Sequence, residues 1–306
     1  MKVIKELAMI LLTTLNGPVA TRIVNMLKDS TVVVAGLLSP TDNTPPQADL
    51  KNISLREGNL NEVKTLQRAL VDIDTVCLLS NNSKNMCQQE LNMIQACQKA
   101  GIKKIVKLSG LSPQIKTQST SGLYRDHFKI ETALKASGIP YTILQPSIIT
   151  QNLVGEVIAP MLQTSNTFML PFKDQKANLI DATDIALACI NCLLKDRHYN
   201  QTFVLTGFDT LNMSQLASLI GRYTQREINY QNESMNATLK RLDSVGLSSS
   251  SQTTIKEEYQ CIARGDAAFY TDAVLTLTGR PPLPVDEYIE NNLDLFTTPG
   301  MKKKAA

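Results

Sequence analysis

The feature that most constrains this chain is an alternation that fills its first half. Short runs that are apolar nearly throughout take turns with segments whose apolar residues recur at helical spacing. AMILLT, TVVVAGLL, NISLRE, TVCLLS, IKKIVKLSG and YTILQP read as strands. Between them lie a helix from Pro18 to about Lys28 and the helix VKTLQRAL, with Val63, Leu66 and Leu70 on one face. A third helix carries Met86, Met93, Ile94 and Cys97 and stops at Gly101, and a fourth, RDHFKIETALKASG, ends at Gly138. A strand that is apolar on both faces must be covered on both. The alternation therefore specifies an α/β fold, a doubly wound parallel sheet with helices on each side. With 306 residues, the chain has room for this sheet and a smaller partner.

Beyond Pro146 the pattern loosens. ITQNLVGEVIAPML looks helical, FMLPF and NLID read as short strands, DATDIALACINCLL as a capped helix, and TFVLTG as one more strand. From Phe208 onward the expectation is mostly helix. The serine-rich SVGLSSSSQTT interrupts it as a mobile loop or flap.

Composition narrows the function classes. The net charge is +3, and Lys302, Lys303 and Lys304 at the tail match it in number, so the body is near neutral. That argues against a nucleic-acid or anionic-membrane surface. No apolar run approaches the ~20 residues of a membrane span. The basic residues Lys2 and Lys5 before LAMILL resemble the start of a signal peptide, but the run is short, follows Glu6 and continues as strand–loop–helix. Six cysteines without paired spacing point to a reduced, cytoplasmic chain. Cys189 and Cys192 share a helical face with Ile185, which reads as two small core residues rather than a redox or zinc motif. Two histidines, His127 and His198, make a histidine-rich metal site improbable.

In an open parallel sheet, ligands bind beyond the carboxyl ends of the strands. After the first strand comes TTLNGPVA. Gly17 offers the positive φ that a phosphate-binding turn requires, and Ala20 supplies a small residue at the helix start. Thr14 stands where a first glycine is expected, and Pro18 removes an amide hydrogen. The same residues equally describe a plain strand-to-helix turn with proline at the first helical position. After the second strand, Leu38, Ser39 and Pro40 are neither acidic nor basic, so nothing selects NAD over NADP. His127 and Glu131 lie one turn apart and flank the buried stripe of their helix, as a proton-transferring group at a site edge or as a surface pair.

The run H-x-x-x-E, SGIPYTIL, a proline and then QNL resembles the NmrA-like family of atypical short-chain dehydrogenases. IVKLSGLSP, NLIDATDIA, TFVLTG and the closing LTGRPPLPVDEYIENNLDLF resemble further segments of that family, so the likeness runs from about Ala8 to Phe296. The resemblance implies a Rossmann-type NAD(P)-binding domain over residues 1–155, with 178–207 returning to it. A smaller, mostly helical substrate lobe over 156–177 and 208–306 completes the chain, with a cleft between the two. Carried over by position, the cofactor, NADP(H) or NAD(H), would meet Asn16, Gly17 and Val19 in the first loop, Leu38 and Ser39 after strand two, and Asn59 near the adenine. Ser80, Asn81, Ser109, Pro146, Ser147 and Ile148 follow the later strands. His127, with Tyr124 as a weaker candidate, is set to supply a proton or polarise the acceptor, and Gln145 and Asn152 lie toward the substrate. The family's usual loop resembles G-A-T-G-x-x-G; here it is T-L-N-G-P-V-A, while Leu38 and Gln145 stand in place of arginines.

Three readings follow. The first is an NAD(P)H-dependent oxidoreductase that reduces a quinone or similar small electrophile. The second is a dinucleotide-sensing regulator that acts through a protein partner, and the third is a scaffold whose old cleft no longer takes a dinucleotide.

Overall fold

A computed structural model describes residues 9–38, 53–80, 83–111, 119, 121–195, 197–244 and 249–297. The chain divides into two units, one made of residues 1–146, 185–205 and 276–279, the other of 147–184, 206–275 and 280–306.

The first unit is built on β1 (Met9–Leu12), β2 (Val33–Leu38), β3 (Ile53–Glu57), β4 (Thr75–Leu78), β5 (Lys104–Leu108) and β6 (Tyr141–Pro146), with β10 (Gln201–Leu205) added later. They form a seven-stranded sheet in the order β10-β6-β5-β4-β1-β2-β3, and every neighbouring pair is parallel. The order reverses between β1 and β4, which is the switch point where such sheets hold ligands. Helices α1 (Pro18–Leu27), α2 (Val63–Ala69), α3 (Met86–Ala100), α4 (Gly122–Ala136) and α6 (Ala182–Leu194) connect or flank the strands.

The alternating strand residues divide between the two faces. Leu11, Ala35, Ile105 and Ile143 join Leu66 of α2, Met93 and Cys97 of α3, and Ile130 and Leu134 of α4 in one apolar cluster. The helix stops fall at the expected glycines, with Gly101 at φ 71° and Gly138 at φ 76°. Cys189 and Cys192 are fully buried free thiols in α6, in keeping with a core role. Among the described residues no helix is long and apolar enough to cross a membrane.

The second unit holds two small sheets. In one, β7 (Ile148–Ile149), β9 (Lys176–Ile180) and β11 (Asp209–Asn212) lie in the order β11-β9-β7; in the other, β8 (Thr167–Leu170) pairs with β12 (Asn229–Asn232). β11 and β12 lie in the stretch expected to be mostly helical. A π-helix over Gln151–Ile158 leads into α5 (Ala159–Thr164). Helices α7 (Met213–Thr224), α8 (Met235–Ser244), α9 (Ser249–Ala263), α10 (Ala273–Thr278) and α11 (Val285–Asn291) follow. The serine-rich stretch is helical from Ser249, which corrects its reading as a loop or flap, and residues 245–248 lie outside the description.

Buried polar side chains tie this unit together. Asn178, with no exposed surface, donates to the Gly207 and Thr210 oxygens at 3.1 Å each and accepts from the Gly207 amide at 2.7 Å. The fully buried Asp184 accepts from the Leu283 amide at 2.8 Å and pairs with Arg280 at 2.8 Å, which anchors the closing segment. Burial pushes its carboxyl up to about 6.

Candidate functional site

The expected ligand-side residues of the first unit cluster where the strands end. At the β1–α1 corner, Thr13 accepts from the Leu79 amide at 2.8 Å and donates to the Leu79 carbonyl at 2.5 Å, which pins β1 to β4. The chain then turns through Asn16, whose amide donates to Thr14 Oγ1 at 3.2 Å, and Gly17, at φ 90° and ψ 164°. Nothing lies within 4 Å of the place where a Gly17 Cβ would stand, so a ligand could approach the backbone there. Pro18 begins α1 and Val19 is buried beneath it. Leu15 points inward. A Cβ added at Gly36 of β2 would stand 2.5 Å from Leu15 Cδ1, so these two residues share one space.

Further along the sheet, Leu38 ends β2, half-buried, while Ser39 lies outside the described residues. Asn59 follows β3. Its Oδ1 accepts from the Asn61 amide at 2.9 Å and from Asn61 Nδ2 at 3.1 Å, so it closes a local turn.

The ends of β4, β5 and β6 differ in kind from this corner, because their side chains form a buried polar network. Successive residues of β5 alternate faces, which places Lys107 and Ser109 on the same side. Lys107, with no exposed side-chain surface, pairs with Glu90 of α3 at 2.6 Å and donates to the Leu108 carbonyl at 3.0 Å. Ser80, beyond β4, donates to the same Glu90. Asn81 lies outside the described residues.

Ser121 caps α4 by accepting from the Tyr124 amide at 3.2 Å. This start sets Tyr124, His127 and Glu131 on the buried face of the helix. Ser109 donates to Glu131 Oε1 at 2.7 Å and lies 3.4 Å from His127 Nδ1. Gln145 of β6 donates to the same Glu131 oxygen at 2.8 Å, and Lys135 stands 3.6 Å from its Oε2. A Cβ at Gly110 would stand 2.9 Å from His127 Cδ2 and 3.2 Å from both its Nε2 and Tyr124 Cε1.

One expectation changes here. His127 and Glu131 do not flank the core at a surface edge: both are 4% exposed, and they are linked through Ser109. Burial holds the imidazole well below its usual range, and the positive charge of Lys107 pushes it the same way. Its neutral form therefore prevails at physiological pH. Gln145, expected toward a substrate, gives its amide to Glu131.

Pro146 closes β6. Ser147, Ile148 and Asn152 belong to the second unit. There Ser147 is buried and donates to Asn178 at 2.7 Å, while Ile148 is a core residue of β7. Asn152 is exposed on the π-helix. Its neighbour Gln151 is buried, donates to Asp181 at 2.7 Å and accepts from the Ala182 amide at 2.8 Å. Among the described residues no group of three or more histidine, cysteine or acidic side chains is placed to hold a metal ion.

Sequence reasoning passed over Lys107, Glu90 and Gly110. A signal existed for two of them. Glu90 falls on the same helical stripe as Met86, Met93, Ile94 and Cys97, and Lys107 interrupts an apolar strand. Charges in such positions are rarely buried without a partner.

The comparisons with known proteins agree with this fold. The sequence profile of the NmrA-like family matches residues 9–288. An NAD(P)H azoreductase of Xenophilus azovorans is 24% identical over 290 residues, spanning 94% of this chain and 99% of that protein. Quinone oxidoreductase 2 of Escherichia coli is 27% identical over 198 residues, 64% of this chain and 68% of that protein. Among solved structures, the NADPH-dependent quinone oxidoreductase of Escherichia coli complexed with NADPH superposes with a TM-score of 0.81 at 22% identity, covering 93% of this chain and 99% of that one. The Citrobacter sp. triphenylmethane reductase complexed with NADP(H) gives 0.80 at 19% identity, covering 92% and 99%.

Proposed function

The chain belongs to the NmrA-like family, and on that premise we propose that it is an NAD(P)H-dependent oxidoreductase that reduces a quinone or similar small electrophile. The observation that carries this reading is the placing, beyond the carboxyl ends of strands of one parallel sheet, of an open glycine turn after β1, beside the switch point, and a buried histidine-bearing network after β5. The relatives named as quinone and azo reductases support the substrate class.

The residues present fit a dinucleotide, with fewer phosphate contacts than the family's usual loop. Gly17 leaves its backbone open to approach, and the start of α1 brings a positive helix end to the turn. Pro18 removes one amide, and Leu38 brings no charge to the ribose end. Each lost phosphate contact weakens binding by about 1–3 kcal/mol, roughly tenfold or more. Asn16, Gly17 and Val19 would hold the pyrophosphate, with Leu38 and Asn59 toward the adenosine. Ser80, Ser109 and Pro146 would line the remainder. When bound, NAD(P)H supplies the hydride. The chain's own residues orient the acceptor and exclude water, with His127 and Tyr124 beside Gly110 as the groups nearest the chemistry.

A second reading, a dinucleotide-sensing regulator without turnover, is favoured by one observation. The polar groups at the ends of β4 to β6 are bonded to one another, Ser80 to Glu90 and both Ser109 and Gln145 to Glu131.

Thermal unfolding with and without NADPH and NADH, checked by calorimetric titration, tests the premise common to both. A ligand at a hundred times its Kd adds about 2.7 kcal/mol of stability. The expected result is a clear shift, followed by consumption of the reduced cofactor with a quinone. Binding without turnover across an acceptor panel selects the sensor. Neither shift nor heat at millimolar cofactor overturns both and leaves a scaffold.

A further inference from the structure

The hydrogen bonds around Ser109 decide which nitrogen of His127 carries its proton. A serine hydroxyl has one hydrogen to give and lone pairs to receive. At Ser109 that hydrogen goes to Glu131 Oε1 at 2.7 Å. Glu131 also accepts from the Gln145 amide at 2.8 Å on the same oxygen, and its other oxygen forms an ion pair with the Lys135 ammonium 3.6 Å away. Ser109 therefore has only a lone pair left for His127 Nδ1, 3.4 Å away. A contact between two lone pairs would be repulsive, so Nδ1 must be the donor.

We infer that the Glu131–Ser109 pair fixes His127 as its Nδ1–H tautomer and leaves Nε2, beside Gly110, as a hydrogen-bond acceptor. Ser109 and Glu131 are thus positioning residues that act through the imidazole. The groups around the ring agree with a neutral histidine. Lys107 on β5 brings a positive charge close, Glu90 on α3 is committed to Lys107, and Tyr124 on α4 stands beside the ring across Gly110.

This deepens the oxidoreductase reading and rests on it for the identity of the ligand. An imidazole in this tautomer has no proton at Nε2 to give to an acceptor oxygen, so the donor role suggested by sequence turns into its opposite. The group that docks on Nε2 is a hydroxyl or an N–H, such as a hydroxyl of the reduced acceptor, while the carbonyl oxygen of a quinone is not bonded there. The arrangement resembles a carboxylate that orients a histidine through its Nδ1–H, here with a hydroxyl inserted between them.

Ring-nitrogen NMR of the full chain, labelled with 15N-histidine and free of ligand, tests this directly. The chain has only two histidines, and His198→Gln identifies the signals of His127. The expected spectrum shows a pyrrole-type Nδ1 and a pyridine-type Nε2, unchanged from pH 8 to pH 6. In Ser109→Ala the preference should shift toward Nε2–H, and Ser109→Thr, which keeps the hydroxyl, should restore it. An Nε2–H tautomer or an imidazolium at pH 7 in the unaltered protein overturns the inference. So does a folded Ser109→Ala whose tautomer is unchanged. If Ser109→Ala does not fold, Ser109→Cys, a far weaker donor, takes its place: a shift toward Nε2–H supports the inference and an unchanged tautomer overturns it. No cofactor enters the measurement, so its outcome is independent of whether the chain binds a dinucleotide.

Discussion

Two corners of the same sheet handle polarity in opposite ways. At the β1–α1 corner the means of recognition are backbone: an open Gly17 at φ 90° and the first turn of a helix. At the ends of β4, β5 and β6 they are side chains in two groups, the half-buried Ser80 with buried Glu90 and Lys107, and buried Ser109 and Gln145 with Glu131. A backbone site can forgo a donor while the turn survives, since Pro18 brings no amide hydrogen and still begins α1. A buried side-chain network cannot, because each lost member strands a charge or an acceptor in a medium that penalises it. The first corner is therefore free to drift in affinity, and the second is held by folding itself.

The sharpest break of this contrast is Lys107→Met, which leaves Glu90 buried without its cation. Denaturant unfolding followed by circular dichroism should show a loss of about 3–5 kcal/mol. Adding Glu90→Leu should recover much of that loss, since both charges then leave together.

At the other corner the expected effect is on binding rather than on folding. Thr14→Gly with Leu38→Arg should tighten NADPH binding by about 2–3 kcal/mol in a calorimetric titration, with Tm in the absence of ligand little altered. No gain in affinity would remove the weakened loop from the account.

A smaller effect comes from pH. His127 is held neutral in the fold, whereas in the unfolded chain it takes up a proton near pH 6.5. The unfolded state thus binds more protons below that pH, and stability falls by up to about 1.4 kcal/mol per pH unit as acidity rises. Above about pH 6.5 the two states bind equally and the effect is absent. Unfolding midpoints at pH 5.5 and pH 8 should therefore differ less in His127→Gln than in the unaltered chain. Asp184 in the second unit runs the other way. Its carboxyl, pushed up to about 6, gives stability that is full below about pH 4 and lost as pH rises through 6. The smallest change expected is Asn59→Asp, which keeps the acceptor that Asn61 uses and should move Tm by no more than about 0.5 kcal/mol allows.

Much of the parallel sheet was legible because its strands announce burial on both faces. Every residue of β4 is buried, and its sequence TVCL carries no polar alternation to confuse it. The helix ends were legible at Gly101 and Gly138 for a local reason, the left-handed backbone that each adopts. β11 and β12 were not. DTLN and NYQN are polar and four residues long, and they are strands only because β9 and β8 lie beside them. The site divides the same way. His127 and Glu131 could be noticed as an i, i+4 pair, but the hydroxyl that joins them comes from the end of β5, and no spacing within α4 points to it. The Lys107–Glu90 pair likewise links a strand to a preceding helix through the fold alone.

The shared space of Leu15 and Gly36 couples two positions of the first corner. Restoring a small residue at position 15 would open a hole above β2, and Leu→Ala exchanges in cores cost about 2–5 kcal/mol. Filling that hole from the strand requires a side chain at Gly36, whose Cβ would collide with Leu15 while the leucine remains. Each single step thus disturbs the packing, and only the two together exchange the leucine for a side chain on the strand. The two positions are therefore coupled, and a change at Thr14 or Leu38 meets no such constraint from Gly36.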